Sequence, residues 1–240
     1  MSRKGICLIA AAFALAVSTT AEAASITFAN ETFSTGSGLG NVPTVLVIQS
    51  SPTETGAVAW TGTADSLTGD AKSQSRTWSV SNLADIGIVS TDSAFGLVLN
   101  LNETNPASDV FLEAMQVNFF TAAGSLLFSA PYTCVSCAYP LPVMLSEAGQ
   151  GTGSSGFLFR VVLTPAERAQ FFAAAGNRLG VSAALSATDS GMETVYLADL
   201  ERGTTQPLDV PIANPEPASL VLFGTGIAAL VARRIRTRRG

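Results

Sequence analysis

Apolar and polar residues alternate along several stretches of this chain. Phe95, Leu97, Leu99 and Leu101 interleave with Gly96, Val98, Asn100 and Asn102. Phe157, Phe159, Val161 and Leu163 interleave with Leu158, Arg160 and Val162, and Val181, Ala183 and Leu185 with Ser182, Ala184 and Ser186. A period of two belongs to a strand with one face in a core and the other toward solvent. Segments of similar character predict further strands at 26–30, 44–49, 57–62, 76–80, 86–90, 114–120, 126–129 and 194–200. About eleven short strands separated by Gly, Asn, Asp or Ser predict a mainly β fold, a single β-sandwich of jelly-roll type.

One segment follows a different period. Thr164-Pro165-Ala166-Glu167 reads as a capping box with proline at the first helical position. Arg168, Phe171, Phe172 and Ala175 then share a face, and Gly176 can close the helix. The expectation is one short crossover helix packed on an end of the sandwich, with its aromatic face in the core.

Two apolar runs break the alternation, one at each end. Ile6 to Val17 follows the basic Ser2-Arg3-Lys4 and precedes Ser18 to Ala23, where the small residues Ala21 and Ala23 flank Glu22. This is the layout of a secretory signal peptide cleaved after Ala23. An uncleaved anchor is the alternative, but about 12 apolar residues fall short of the ~20 that span a bilayer. Near the other end, Ala218 to Ala232 carries no charge. As a helix it rises ~22 Å, and snorkelling by Arg233 and Arg234 admits Ile235 and extends the span to ~27 Å. Arg233, Arg234, Arg236, Arg238 and Arg239 follow, as the positive-inside rule expects of a cytoplasmic tail. A buried C-terminal helix is the other reading, and the clustered cations argue against it.

The same end resembles a known signal. Pro215-Glu216-Pro217, then Ala218-Ser219, a short Gly-containing apolar stretch and an arginine tail resemble a PEP-CTERM sorting signal in order and spacing. The resemblance implies export in a Gram-negative bacterium that makes exopolysaccharide, with handling by exosortase, a membrane transpeptidase-like enzyme. Proline removes N–H donors and holds the backbone extended, so the triplet suits an enzyme working at the membrane surface. The stretches SQSRTWSVSNL, LVLNLNE, GFLFRVVLTPAERAQ and RLGVSAALS resemble segments of uncharacterised PEP-CTERM ectodomains, which implies one β domain and no particular activity. These readings divide the chain into a signal peptide at 1–23, an ectodomain at 24–203, a Pro-rich linker with the triplet at 204–217, a transmembrane helix at 218–235 and a basic tail at 236–240.

Charge narrows the classes of partner. The 240 residues include 13 Lys+Arg, 18 Asp+Glu and no histidine. Setting the two ends aside leaves 6 basic and 16 acidic residues, a net charge near −10. Such a domain repels nucleic acid and acidic polysaccharides unless cations bridge them.

Without histidine, Ser-His-Asp and Cys-His machinery and His-ligated zinc are excluded. Cys7 leaves with the signal peptide, so Cys134 and Cys137 are the cysteine pair that remains. A CxxC pair is redox-active where it opens a helix. This one lies between Pro131 and Pro140 with no helical pattern after it, so a small structural disulfide is expected in the oxidising compartment. Two thiolates alone make a poor zinc site.

Asp65, Asp70, Asp85 and Asp92 could bind calcium from loops, but no D-x-D-x-D-G spacing accompanies them and solvated turns are the expectation. A glycosidase needs two facing carboxylates, and no particular pair stands out. Trp60 and Trp78 could stack on sugars, with core packing the favoured reading. Asn30-Glu-Thr and Asn102-Glu-Thr match glycosylation sequons of a kind that arises by chance.

The sequence thus leads to an exported, non-catalytic protein with no cofactor and no metal. Its expected partners are the Sec machinery, exosortase, the membrane through its C-terminal helix, and exopolysaccharide. It is expected first as an inner-membrane-anchored precursor with a periplasmic ectodomain, then in the envelope or matrix. A carbohydrate- or calcium-binding module is the alternative, and a polysaccharide-active enzyme a third.

Overall fold

The computed structural model describes residues 23–36, 42–103, 109–133, 138–150, 154–189, 191–201 and 203–207. Ala21, Cys134, Cys137, Pro215-Glu216-Pro217, both terminal apolar runs and the arginine cluster lie outside these residues. Among the described residues no helix is long and apolar enough to cross a membrane.

The described chain begins with β1 (Ser25–Ser34), β2 (Thr44–Ile48), β3 (Thr53–Trp60) and β4 (Asp65–Gly69). A short strand, β5 (Trp78–Ser79), runs into α1 (Val80–Asp85), followed by β6 (Ala94–Asn100), β7 (Asp109–Phe120) and β8 (Leu126–Pro131). Next come β9 (Val143–Ser146), the single-turn α2 (Glu147–Gln150), β10 (Gly156–Val162) and α3 (Pro165–Phe172). The last strands are β11 (Arg178–Ser186), β12 (Glu193–Ala198) and β13 (Thr204–Pro207). They form two antiparallel sheets. One has the order β13-β1-β10-β6-β12-β2, and the other β4-β3-β11-β7-β8, with β5 added on β11 and β9 on β7.

The two sheets share a core. Ile26, Leu97, Leu99, Phe159, Val195 and Leu197 of the first meet Val58, Leu112, Val117, Val181 and Leu185 of the second in one buried cluster. Burying each such side chain contributes about 1.5–3 kcal/mol. Val98 and Leu158 alternate with these residues and were expected to face solvent. Instead they are buried with Phe33, Tyr196 and Ala198 in a smaller cluster on the outer face of the first sheet. Leu200 packs over that cluster as the chain turns back from β12 toward β13.

Four sequence expectations need correction. Residues 86–90 form no strand; they are turns after α1, which Ser79 caps by accepting from the Asn82 N–H. Gly87 has φ +94°, which ends the helix sharply, and Ile88 drops into the core from a loop. Residues 76–80 contribute only the short β5 before that helix starts. Asp65–Gly69 is a strand rather than a turn, on an exposed edge where pairing needs no apolar alternation. The first residues of the expected linker form β13 on the edge of β1, so the folded part continues past Gly203.

The crossover helix is present, from the first sheet at β10 to the second at β11. Thr164 Oγ1 accepts from the Glu167 N–H at 3.2 Å, while Glu167 Oε2 accepts from the Thr164 N–H at 3.0 Å. The helix stops at Phe172, short of the expected Gly176, and Arg168 reaches out to donate to the Asp92 carbonyl at 3.2 Å. Phe171 alone of α3 is fully buried, its ring edge-on to Phe119 at 4.8 Å, while Phe119 stacks on Phe128 at 4.5 Å. Phe171→Ala should therefore destabilise the protein by about 3–5 kcal/mol in chemical denaturation. Phe172→Ala, at a half-buried position, should cost clearly less; equal losses would mean that both rings are core.

Candidate functional site

Four connections meet at one end of the two sheets: β2–β3, β6–β7, β9–β10 and β11–β12. Ser51 Oγ donates to the Thr188 carbonyl at 3.2 Å, and the Thr188 N–H to the Pro52 carbonyl at 3.2 Å. The Asp189 N–H donates to Glu103 Oε2 at 2.6 Å, and the Glu103 N–H to Glu147 Oε2 at 3.2 Å. Gln150 Oε1 accepts from the Leu101 N–H at 2.7 Å. Two of these five hydrogen bonds end on carboxylates.

Strand parity carries three glutamates inside. Glu54 shares its face of β3 with Gly56 and Val58, and Glu193 shares its face of β12 with Val195 and Leu197. Glu103 continues past β6 the parity of Leu97, Leu99 and Leu101. Glu54 and Glu193 are 0% exposed and Glu103 6%. Glu54 Oε1 accepts from the Ser50 N–H at 2.8 Å. Glu54 Oε2, Glu103 Oε1, both carboxylate oxygens of Glu193 and Thr188 Oγ1 are buried without a hydrogen-bond partner.

Electrostatics follow from this crowding. Burial first, and then the neighbouring Glu54, hold the Glu193 carboxyl well above the usual range. Glu103 is pushed up to about 7, chiefly by burial and then by the Asp189 side chain, although the Asp189 N–H opposes the shift. Burial also raises Glu147, against the Glu103 N–H and together with the Asp189 charge. Among the described residues no side-chain cation forms an ion pair with these carboxylates. The ion pair found among the described residues, Arg160 to Glu31 at 3.2 Å, joins β10 to β1. Among the described residues, no group of three or more His, Cys, Asp or Glu side chains could hold a metal ion.

The aspartates singled out from the sequence do separate jobs. Asp65 accepts from Thr77 Oγ1, Asp70 from the Thr55 N–H at 2.9 Å, and Asp92 from the Val89 N–H at 2.7 Å. Asp85 is exposed at the end of α1. They do not form one site. Trp78 is a core residue, its Nε1 donating to the Thr44 carbonyl at 2.8 Å. Trp60 lies outside the core cluster, half-buried, with the Arg178 guanidinium 4.2 Å from its ring centre. Asn30 occupies the irregular part of β1 at φ +54°. The outer face of β3, β11 and β7 carries a groove of about 310 Å³ walled by small side chains such as Ala57, Ala114, Ser182 and Ala184. Its one aromatic, Tyr132, is buried.

The glutamate cluster escaped the sequence reading because its members stand far apart along the chain. A signal was present, however: each glutamate falls on the inward parity of an apolar strand, where an unpaired charge is out of place.

Residues 215–239 match the family model of the PEP-CTERM protein-sorting motif. No curated protein and no solved structure matches the chain. The protein thus carries a C-terminal PEP-CTERM sorting motif preceded by a β-rich region.

The packing at the acidic end can be tested through Gly191. A Cβ there would lie 1.9 Å from the Asn102 carbonyl oxygen and 2.8 Å from Glu193 Oε1. Gly191→Ala must displace backbone, so thermal or chemical denaturation should show a loss of about 1–3 kcal/mol. Unchanged stability would mean that the connections there are loosely packed.

Proposed function

We propose that this chain is an exported, non-catalytic surface or matrix protein, associated with exopolysaccharide, that an exosortase processes at its C-terminus. The observation that carries the reading is the match of residues 215–239 to the PEP-CTERM sorting motif. Triplet, apolar run and arginine cluster stand there in the order that export, membrane arrest and surface processing require. On this reading the full chain is an inner-membrane precursor with its ectodomain in the periplasm, and the mature form lies in the envelope or matrix.

We take the ectodomain as a jelly-roll sandwich. The order β2-β12-β6-β10 in one sheet and β3-β11-β7-β8 in the other supports this, because the chain visits the two quartets in the alternating sequence of that topology. β1 and β13 then extend one edge and β4 another. Two features favour a non-catalytic role. The chain has no histidine, and the carboxylates that crowd together are sealed from any sugar. The small-walled groove offers no open aromatic on which a sugar ring could stack, which favours a structural role over carbohydrate binding.

Signal cleavage after Ala23 would have a structural consequence. Ala23 is exposed, whereas Ala24 is 2% exposed and its backbone nitrogen lies 3.0 Å from Glu167 Oε1. Cleavage there turns an amide donor into an α-ammonium facing a carboxylate. Burial pushes the Glu167 carboxyl up, but bonds from Thr164 and Ala24 outweigh it and leave its pKa below the usual value. A depressed acid contributes stability above its unfolded pKa and loses it as pH falls through the folded one; a raised ammonium contributes below its unfolded pKa and loses it as pH rises through the folded one. The pair therefore works between about pH 4.3 and 8. Envelope protein should begin at Ala24 by mass spectrometry. Glu167→Gln keeps a residue that suits the capping box, and it should lower the melting temperature within that window and less above pH ~9. Peptides retaining Ile6 to Val17 in the mature protein would refute the cleavage.

Sorting is tested at Glu216. Glu216→Ala keeps the apolar run and the arginines, so insertion should be normal while the precursor accumulates in the inner membrane. One blot compares wild type, this variant and a strain lacking the exosortase. Identical size and fractionation in all three would leave a plain anchor and end the sorting proposal.

A further inference from the structure

Strand pairing sets carboxyl groups against each other at the acidic end. Glu193 of β12, in one sheet, meets the carboxyl group of Glu54 of β3, in the other. Glu103, just past β6, meets Asp189 in the connection between β11 and β12. We infer that these two carboxyl–carboxyl contacts form a proton-held latch, which joins the sheets and their connections at acid pH and loosens as pH rises.

The argument starts from donors. Two ionised carboxylates carry no donor and repel, so a buried pair can stay in contact only with a proton between its oxygens. Glu54 and Glu193 are 0% exposed and Glu103 6%. Ser50 and Asp189 each give one backbone N–H, to Glu54 Oε1 and Glu103 Oε2. The other oxygen of Glu54, that of Glu103 and both of Glu193 receive no donor from the fold. A proton on Glu193 supplies the donor to Glu54, and one on Glu103 supplies it to Asp189. Retreat is blocked, since strand parity fixes Glu54 and Glu193 inward. The backbone at Gly191 also crowds Glu193, whose Oε1 would lie 2.8 Å from an added Cβ.

The surrounding elements offer no cation to replace the proton. β2 and β6, which flank β12, carry no titratable side chain. Lys72, whose backbone N–H donates to the Val47 carbonyl of β2, forms no ion pair among the described residues. Arg178, on the β11 strand beside β3, donates to Thr77. Asp70 accepts from the Thr55 N–H of β3, and Asp109 and Glu113 of β7 are exposed. Glu147 of α2 accepts from the Glu103 N–H. The charges acting on Glu193 are those of Glu54 and Glu103, and those acting on Glu103 are Asp189 and Glu54. Burial and then these contacts raise both groups, Glu103 to about 7. A raised acid holds a proton in the folded chain that the unfolded chain has released. Its stabilisation is complete below the unfolded value of about 4.3 and is lost as pH rises toward the folded one.

The test uses the full chain in detergent, with urea unfolding followed by the fluorescence of Trp60 and Trp78, the chain's two tryptophans. The range from about pH 5 to about pH 7.5 lies below the titration of a free α-amino group. Within it the folding equilibrium constant should fall roughly tenfold per pH unit for each proton that the folded chain retains. Glu193→Gln and Glu103→Gln replace the protonated carboxyl with an amide that is still a donor but cannot titrate. Each should flatten the profile by up to about tenfold per pH unit, and Glu193→Gln should be more stable than wild type at about pH 7.5. Asp85→Asn, at an exposed site on α1, should keep the wild-type slope. Should Glu193→Gln fail to fold, the slope of Glu103→Gln decides. Wild-type stability that is level or rises across this range overturns the inference, as do glutamine variants that keep the wild-type slope.

Discussion

A strand has two faces, and that constraint governs both the stability of this protein and its most unusual site. Leu97 and Leu99 on β6, Val195 and Leu197 on β12, and Val181 and Leu185 on β11 must all turn the same way, because the pleat gives them no alternative. Once their side chains meet in one core, residues of the same parity along the strands are drawn inward with them. Glu54, Glu103 and Glu193 do so at the strand ends, where the core gives way to connections. The hydrophobic face supplies the free energy, and the carboxylates are held in place by strands that cannot slip one residue without exposing that whole face.

The cluster therefore sets two opposing terms against each other. Burial of apolar surface along β3, β6 and β12 stabilises the arrangement, while desolvation and mutual repulsion of the carboxylates oppose it. The backbone donors of Ser50, Asp189 and Glu103 relieve part of the strain but leave the innermost oxygens unsatisfied. Native proteins retain few such atoms. The opposite situation prevails at α3, where the capping box and Phe171 satisfy local polar groups and the core together.

The ends of the described chain are also linked. β13 pairs with β1, so the first and last strands are hydrogen-bonded neighbours on one sheet edge. The segment between β12 and β13 covers an apolar patch of the outer face, with Leu200 over Val98 and Leu158.

Sequence by itself determined what could be read locally. The sorting motif is contiguous, so order and spacing sufficed. The period-2 strands β6, β10 and β11 and the Thr164–Glu167 capping box rest on neighbours in the chain, and they were legible for the same reason. Tertiary structure decided what depends on residues far apart in sequence. Edge strands such as β4 and β13 pair through backbone groups that leave no apolar pattern. The outer cover over Val98 came from a returning loop, which no periodicity announces. Glu54, Glu103 and Glu193 are separated by dozens of residues, and only the pairing of β2 with β12 and of β12 with β6 brings their strand ends together. A strand's sequence shows which side chains share a face, whereas the partners that face will meet are fixed by long-range backbone pairing.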